Sequence, residues 1–180
     1  MITPVSAAPH PLLRDVWNAL DGLTDPEIPV VTLREMGIIR DVEHVADNAV
    51  VVVITPTYSG CPAMEQIHDD ICSTVQALGL QVQVRTQLAP AWTTDWMSDV
   101  AKDKLKAYGI APPNRQCGAP SQQTSVVHFI RKPLQPEQAV ECPRCGSHQT
   151  FESSHFGSTA CKALYKCMDC QEPFDYFKPY

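Results

Sequence analysis

Hydrophobic residues recur at helical spacing in three stretches of the chain. The clearest begins at Pro62, which suits the first position of a helix, and ends before Gly79. An earlier and a later stretch also end at a glycine. In each stretch, apolar side chains three or four positions apart would form one buried helix face. The pattern therefore predicts three amphipathic helices, over residues 12–20, 62–78 and 96–108.

Between the predicted helices, the apolar pattern changes to that of strands. Residues 38–45 and 48–55 flank a polar turn at Asp47, and residues 81–88 alternate polar and apolar positions. Residues 49–54 are all apolar, which is typical of a strand buried on both faces. The resulting order, α-β-β-α-β-α, predicts an α+β fold in which helices pack on a small mixed three-stranded sheet. The second strand is expected at its centre.

Proline-rich segments divide the chain. Two prolines in Asp25-Pro26-Glu27-Ile28-Pro29 predict an extended loop after the first helix. Residues 113–138 are rich in Pro, Gln and Ser, as linkers are, and residues 126–130 have the composition of a short strand. We therefore predict an α+β domain over residues 1–112, a linker over 113–139 and a small β ribbon over 140–180.

Two cysteine pairs in the last part of the sequence carry the clearest chemical signal. Cys142 and Cys145 form one Cys-x-x-Cys unit, Cys167 and Cys170 form another, and 21 residues separate the two units. Two such units can supply the four sulfur ligands of a tetrahedral metal site. Four protein ligands leave no open position for a substrate, so we predict a structural site. A ribbon this short would depend on the metal to fold.

The spacing of the cysteines does not by itself distinguish one metal from another. Zinc and iron both accept tetrahedral sulfur ligands, and the Cys-Pro-x-Cys-Gly unit also resembles a rubredoxin knuckle. The second unit has Gln171 where a matching glycine would stand, which favours Zn2+. Redox-active dithiols are the alternative for a single pair, and two pairs at this spacing argue against them. Zinc is the prediction, and iron stays open.

Charge and composition exclude several classes of function. The 180-residue chain has a net charge of −6, and its first 112 residues carry seven Lys or Arg against fourteen Asp or Glu. The basic face that a nucleic-acid-binding ribbon needs is therefore missing. The sequence has no run of eighteen apolar residues and no signal-peptide pattern, so we expect neither a membrane span nor export. Eight cysteines in such a chain are expected in the reducing cytoplasm.

A single cysteine, Cys61, is the second candidate for chemistry. It precedes Pro62, where we expect the N-cap of the second helix. Free N–H groups and the helix dipole would stabilise a thiolate there and lower its pKa. Such a thiolate can bind a metal or act as a nucleophile; the alternative is a small buried residue. Asp25 and Glu27 would add carboxylates if their loop folds over the helix start, and otherwise they are solvated acids of a turn.

The remaining cysteines have no assigned role. Cys72 is expected in the core or as a spectator, and Cys117 lies in the predicted linker. Cys161 is a fifth thiol of the ribbon: a spare ligand and a reactive thiol are the alternatives, and a place in the core or at an interface is favoured. The sequence also lacks a Ser/His/Asp set, a Gly-rich phosphate loop and the Glu-x-x-His pairs of a di-iron site. We therefore expect no catalytic activity of the chain's own.

Short motifs in residues 12–108 resemble the small iron–sulfur assembly domain of SufT-like proteins. They are Asp25-Pro26-Glu27-Ile28-Pro29, Gly37-Ile38-Ile39, Thr55-Pro56-Thr57 with Gly60-Cys61-Pro62, and Pro90-Ala91-Trp92. Glu35-Met36 departs from the Asp-Leu that this domain often has before the glycine. With the cysteine ribbon and its Phe156-Gly157-Ser158-Thr159 segment, the whole chain is similar to the PaaD family of phenylacetate degradation.

The resemblance implies an accessory protein of the phenylacetyl-CoA ring-epoxidase system, a multicomponent oxygenase with a flavin and [2Fe–2S] reductase. It implies an assembly site of Cys61, Asp25, Glu27 and Thr57, at which Cys61 would hold iron or a cluster transiently. The ribbon would dock onto the client, either the reductase or another epoxidase subunit, and assembly domains of this kind often self-associate. Two alternatives stay open: a stoichiometric structural or regulatory subunit, and a rubredoxin-like electron carrier.

Overall fold

A computed structural model describes residues 11–113 and 139–180. The chain forms two compact units, with the division between Trp92 and Thr93. Cys117 and the strand predicted at residues 126–130 lie outside the described residues. The elements in chain order are α1 (Pro11–Leu20), β1 (Ile39–Ala46), β2 (Ala49–Ile54), α2 (Met64–Gln76), β3 (Gln81–Thr86), a 3-10 turn (Thr94–Trp96), α3 (Asp99–Tyr108), β4 (Ile110–Ala111), β5 (Thr150–Ser154), β6 (Lys162–Cys167) and β7 (Pro173–Phe177).

The first unit is built on a three-stranded sheet with the order β1-β2-β3. β1 and β2 are antiparallel, and Ala46 pairs with Ala49 across the turn. β2 and β3 are parallel, with Ala49 opposite Gln81 and Ile54 opposite Thr86. A parallel pair requires a crossover connection, which α2 supplies. The sheet is therefore mixed and has β2 at its centre, as the hydrophobic pattern predicted.

Burial explains the continuous apolar run of β2. Residues Val50–Ile54 each expose 8% or less of their surface. α2 directs its buried residues Ile67, Ile71 and Val75 to the same core. Each such side chain stabilises the unit by about 1.5–3 kcal/mol when it is fully buried. The first unit therefore has an apolar core of its own, which holds the segment between β2 and α2 in place.

The second helix starts later than predicted. α2 begins at Met64 and its N-cap is Ala63, not Cys61. Cys61 belongs instead to tight turns: its N–H donates to the Tyr58 carbonyl at 3.2 Å, and its carbonyl accepts from Met64 N–H at 3.4 Å. Because Pro62 and Ala63 are part of this turn, the first helical residue is displaced along the chain. The prediction that Cys61 caps the helix was wrong.

The second unit combines α3 with a four-stranded sheet of order β4-β7-β6-β5. β6 is antiparallel to both β5 and β7, and the two-residue β4 is parallel to β7. α3 begins after Ser98, whose Oγ accepts a hydrogen bond from Ala101 N–H at 3.0 Å. It ends at Gly109, whose φ of 97° gives the left-handed C-terminal turn that glycine favours. This turn leads directly into β4.

The third helix is shorter than the predicted 96–108, because Thr94–Trp96 form a separate 3-10 turn and Met97 is extended. It belongs to the same compact unit as the ribbon, through β4 and β7, whereas the sequence order had placed it with the first sheet. The domain bounds 1–112, 113–139 and 140–180 remain a prediction. No helix of the described residues has the length and apolar character that crossing a bilayer requires.

Candidate functional site

The four paired cysteines of the ribbon lie together in the second unit. Their Sγ atoms are all within 4.8 Å of one another. Cys142 Sγ is 3.8 Å from Cys170 Sγ, and Cys145 Sγ is 3.6 Å from Cys167 Sγ. Four sulfurs placed tetrahedrally at 2.3 Å from one ion are about 3.8 Å apart. The thiols therefore fit a single tetrahedral metal ion, as their spacing predicted.

Each cysteine pair is held by a similar turn. Gly146 N–H donates to the Cys142 carbonyl at 2.9 Å, and Gly146 has a φ of 76°. At the equivalent position of the second pair, Gln171 has a φ of 64°. Gln171 thus adopts the left-handed backbone that glycine adopts at no steric cost. Because Gln171 and Gly146 both have a left-handed φ, the glutamine does not distinguish zinc from iron.

Hydrogen bonds within the turns favour ionisation of one thiol first. The N–H groups of Cys170 and Asp169 donate to the Cys167 sulfur and lower the pKa of Cys167 to about 7. Although the Ser147 N–H acts in the opposite direction, burial and the neighbouring thiols raise the pKa of Cys145 to about 12. A bound metal requires thiolates at all four positions. Metal binding therefore releases protons from this group.

Cys61 lies in the first unit, between the end of β2 and the start of α2, and its side chain is half-buried. Burial raises the pKa of the Cys61 thiol, and the carboxylates of Glu27 and Asp25 raise it further. The Ala63 N–H, which hydrogen-bonds the sulfur, offsets these effects only in part. The predicted lowering of this pKa was therefore wrong, because the turn that replaces the helix cap supplies too little stabilisation for the thiolate. Without a metal, the thiol is protonated at neutral pH.

The loop that carries the two acids is a turn. The Asp25 carboxylate accepts hydrogen bonds from Glu27 N–H at 2.8 Å and Ile28 N–H at 3.0 Å. Ile28 N–H also approaches the Asp25 carbonyl at 3.2 Å. Such a side-chain turn is typical of aspartate before proline, and it replaces the predicted extended loop. Asp25 is only 8% exposed, so it is not a solvated acid.

Two threonines precede Cys61 in the same segment. Thr57 is buried, and Thr55 is buried with an Oγ1 that has no hydrogen-bond partner within the described residues. An unsatisfied buried hydroxyl costs about 1–3 kcal/mol. Thr57 was a predicted site residue, whereas the buried, unpaired hydroxyl of Thr55 was not predicted. No sequence pattern indicates whether a buried hydroxyl finds a hydrogen-bond partner in the folded chain.

The structure thus places the Cys61 thiol within electrostatic reach of Glu27 and Asp25. It does not gather their ligand atoms into a compact cage. In residues 11–113 and 139–180, the four ribbon cysteines are the one group of three or more candidate ligands whose atoms lie within 4.8 Å of one another. The ribbon site is closed, and the Cys61 site offers a single thiol with acidic neighbours.

Two family models match separate parts of the chain. Residues 13–86 match the iron–sulfur cluster assembly protein family. Residues 128–178 match the PaaD zinc beta ribbon domain. The first match includes Cys61 with its acidic neighbours, and the second includes all four ribbon cysteines.

A relative that spans both parts decides the family. The chain is 46% identical over 169 residues, 93% of each sequence, to an Escherichia coli (strain K12) protein that is named as one subunit of a "Putative 1,2-phenylacetyl-CoA epoxidase". The chain belongs to the PaaD family. This confirms the resemblance drawn from the motifs around Cys61 and the cysteine ribbon.

Shorter relatives match only the N-terminal part of this PaaD-family chain. The "Fe-S protein maturation auxiliary factor" of Porphyromonas gingivalis (strain ATCC BAA-308 / W83) is 35% identical over 94 residues, which are 51% of the chain and 89% of that protein. The "Fe-S protein maturation auxiliary factor YitW" of Bacillus subtilis (strain 168) is 30% identical over 96 residues, 52% of the chain and 93% of that protein. The PaaD family thus joins an assembly-type domain to a ribbon.

Proposed function

We propose that this PaaD-family chain is an accessory protein of the phenylacetyl-CoA epoxidase system that helps to assemble the iron–sulfur cluster of the reductase component. The observation that carries the proposal is the placement of Cys61 beside Glu27 and Asp25 in the unit that matches the iron–sulfur assembly family. Thiolate and carboxylate groups are both ligands of iron in proteins. The names of the two shorter relatives, both maturation factors, support this role.

Cys61 would act as a temporary ligand. One thiolate leaves most coordination positions of iron or of a cluster open, so the cargo can pass to a client. The thiol is protonated when no metal is present, and metal binding displaces that proton. Asp25 is held by two backbone N–H groups, so its carboxylate is already positioned. Glu27 and Thr57 complete the proposed site.

The ribbon would hold a structural Zn2+ ion. Its sulfur–sulfur distances support a tetrahedral ion, and the matching family description supports zinc. Four thiolates saturate that ion and leave it no role as a Lewis acid on a substrate. The metal would stabilise the ribbon sheet, and we propose that this sheet docks the chain onto its client.

A second candidate function is that of a stoichiometric structural or regulatory subunit of the oxygenase. The name of the Escherichia coli relative, which describes a subunit, favours it. In that case the partner would be another epoxidase subunit as well as, or instead of, the reductase. Self-association and a cytoplasmic location remain predictions under both candidates.

Cluster content of the reductase tests the maturation role. The reductase is produced in cells with the wild-type chain, with Cys61→Ala, or with neither, and its iron and acid-labile sulfide are measured. We expect Cys61→Ala to lower the loading as much as absence of the chain does. Cys72→Ala, which removes another half-buried thiol of the same unit, is the matched control and is expected to preserve loading.

Two outcomes would contradict this proposal. Full loading with Cys61→Ala excludes the maturation role, and co-purification with the oxygenase at fixed stoichiometry then favours the subunit. Visible absorption from iron held by the four ribbon cysteines revives the electron carrier, whereas one zinc ion per chain and no colour excludes it.

A further inference from the structure

The ribbon sheet has an open edge. β5 is the terminal strand of the sheet, and within the described residues it pairs only with β6. Four of its five residues are exposed. Phe151 exposes 42% of its surface despite its size. An unpaired strand with an exposed aromatic residue is the kind of surface to which an extended peptide adds as a further strand.

A cavity lies beside this edge. It has a volume of about 360 Å³, within the range of ligand-binding pockets, and its lining includes Glu152, Ala163, Tyr176 and Tyr180. Glu152 lies on β5, and Ala163 and Tyr176 are paired neighbours on β6 and β7. The cavity is therefore on the face of the sheet that carries the Glu152 side chain. A long side chain from an added strand, on that face, would point over Glu152 towards the cavity.

Polar contacts hold the rim of the cavity. The Glu152 carboxylate is 3.1 Å from His155 Nδ1 and accepts from the Tyr165 hydroxyl at 3.3 Å. Burial and the Glu152 charge raise the pKa of Tyr165 to about 12, so this hydroxyl keeps its proton. Lys178 Nζ donates to the His155 carbonyl at 3.3 Å and lies 4.8 Å from the centre of the Phe156 ring. These contacts keep the cavity preformed.

Two cations flank the edge without an acidic partner. Lys166 lies opposite Phe151 in the β5–β6 register, and Lys178 lines the cavity. In the part of the chain that the structure describes, neither forms an ion pair with a carboxylate. Glu152, by contrast, is already bonded to its two neighbours. The surface therefore complements a segment that carries carboxylates together with apolar side chains.

We propose that the β5 edge and its cavity bind an extended, acidic segment of a partner protein. The segment adds as a fifth strand, places one apolar side chain in the cavity and sets carboxylates against Lys166 and Lys178. This inference rests on the proposed function, which makes the cluster-bearing reductase the client. A second copy of the chain fits less well, because antiparallel pairing about the centre of β5 would place two Glu152 carboxylates directly opposite each other.

Hydrogen exchange tests the edge directly. The full chain is measured alone and with the purified reductase, and the β5 amides that do not donate to β6 are followed. We expect fast exchange in the free chain and exchange slowed by about tenfold or more in the complex. If these amides are already protected in the free chain, whether it is a monomer or a dimer, the chain covers its own edge. That result overturns the proposal. Binding without protection of β5 also overturns it.

Matched variants locate the contact. Phe151→Asp is expected to weaken binding to the reductase by about tenfold, and Lys178→Glu by about fivefold. Val45→Asp is the control, because Val45 is 62% exposed and lies on β1, an edge strand of the other sheet. The Val45→Asp chain is expected to bind the reductase with the affinity of the wild type. Bound metal and circular dichroism establish that each variant is folded.

Cys61→Ala separates this inference from the proposed function. It is expected to bind the reductase normally and to fail in loading the cluster. If the β5 variants bind normally while Cys61→Ala loses loading, the docking surface is wrong and the maturation role stands. If Cys61→Ala preserves loading while the β5 variants lose binding, the maturation role is wrong and the docking surface stands.

Discussion

The two units use cysteine in opposite ways. In the second unit, four thiols lie within 4.8 Å of one another and can enclose one ion. In the first unit, Cys61 is a single half-buried thiol whose burial and acidic neighbours raise its pKa. A closed shell retains its metal, whereas a single ligand can release one. If Cys61 is the exchange site that we propose, then ligand number and surroundings, and not the thiol itself, separate it from the closed ribbon site.

The cores beneath the two sites differ as well. Cys61 follows a strand that is buried in an apolar core of Val, Ile and Leu side chains. In the ribbon, Cys142 and Cys167 are themselves members of the small core cluster that includes Phe174 and Tyr176. The ribbon therefore depends on its cysteines for packing as well as for ligation. The first unit does not depend on Cys61 in this way.

The largest effect is expected from Cys167→Ala. It removes a metal ligand and a fully buried side chain of the ribbon core, so we expect loss of the metal and a loss of several kcal/mol in ribbon stability, about 3 or more. Metal analysis and thermal unfolding measure this. Cys161→Ala is the control, because Cys161 is buried but outside the metal group. A Cys167→Ala chain that keeps one metal ion would contradict the comparison.

A smaller effect is expected from Asp25. Asp25→Ala leaves the Glu27 N–H without its acceptor and leaves the Ile28 N–H only the backbone carbonyl of residue 25, so it should lower the free energy of unfolding by about 1–3 kcal/mol. Asp25→Asn keeps an acceptor oxygen and should cost less than about 1 kcal/mol. Urea unfolding measures both. If cluster loading fails in both variants, the charge of Asp25 matters; if it fails only in Asp25→Ala, the carboxylate only shapes the loop.

Most of the fold follows from hydrophobic periodicity. The run at residues 49–54 predicted β2, and the spacing of Ile67, Ile71 and Val75 predicted the buried face of α2. Periodicity does not reveal the pairing of very short strands. The two-residue β4 is too short to show a pattern, yet its pairing with β7 joins α3 to the ribbon unit.

The sequence predicted the position of the ribbon thiols, which depends on cysteine spacing. It did not predict the direction of the pKa shift at Cys61, which depends on electrostatics. Two Cys-x-x-Cys units restrict their own geometry, and the four thiols lie together as predicted. At Cys61, a shift of the helix start by a few residues removes the cap. Burial and the charges of Glu27 and Asp25 then determine the direction of the pKa shift. These effects depend on how the loop folds, which sequence spacing does not specify.

Substitution of Gln171 tests whether the left-handed backbone at this position lowers the stability of the metal-bound ribbon. Gln171→Gly removes the cost of a left-handed backbone at φ 64° and should stabilise the metal-bound ribbon by about 1 kcal/mol. The reciprocal change, Gly146→Gln, should destabilise it by a similar amount, because the φ of Gly146 is 76° and its surroundings leave room for a side chain. Competition with a chelator measures both. Equal metal affinity in all three chains would show that the turns are not strained.

The smallest effect concerns the acids beside Cys61. Burial, Glu27 and Asp25 raise the pKa of this thiol, so its alkylation by iodoacetamide should increase with pH only above the usual range for cysteine. Glu27→Gln removes one negative charge, which lowers this pKa and enlarges the thiolate fraction. Alkylation of Cys61 at pH 8 should therefore become about twofold faster.

Cys72 is the internal control for this measurement, because burial and Asp69, and not Glu27, raise its pKa. Peptide mass spectrometry of the metal-bound chain follows both thiols in one sample. Glu27→Gln should leave the rate at Cys72 unchanged. Slower alkylation of Cys61 in this variant would mean that Glu27 holds the loop open and does not act through its charge. Glu27 would then have a structural role in the loop. Asp25 alone would supply the negative charge that distinguishes the Cys61 site from the closed metal site.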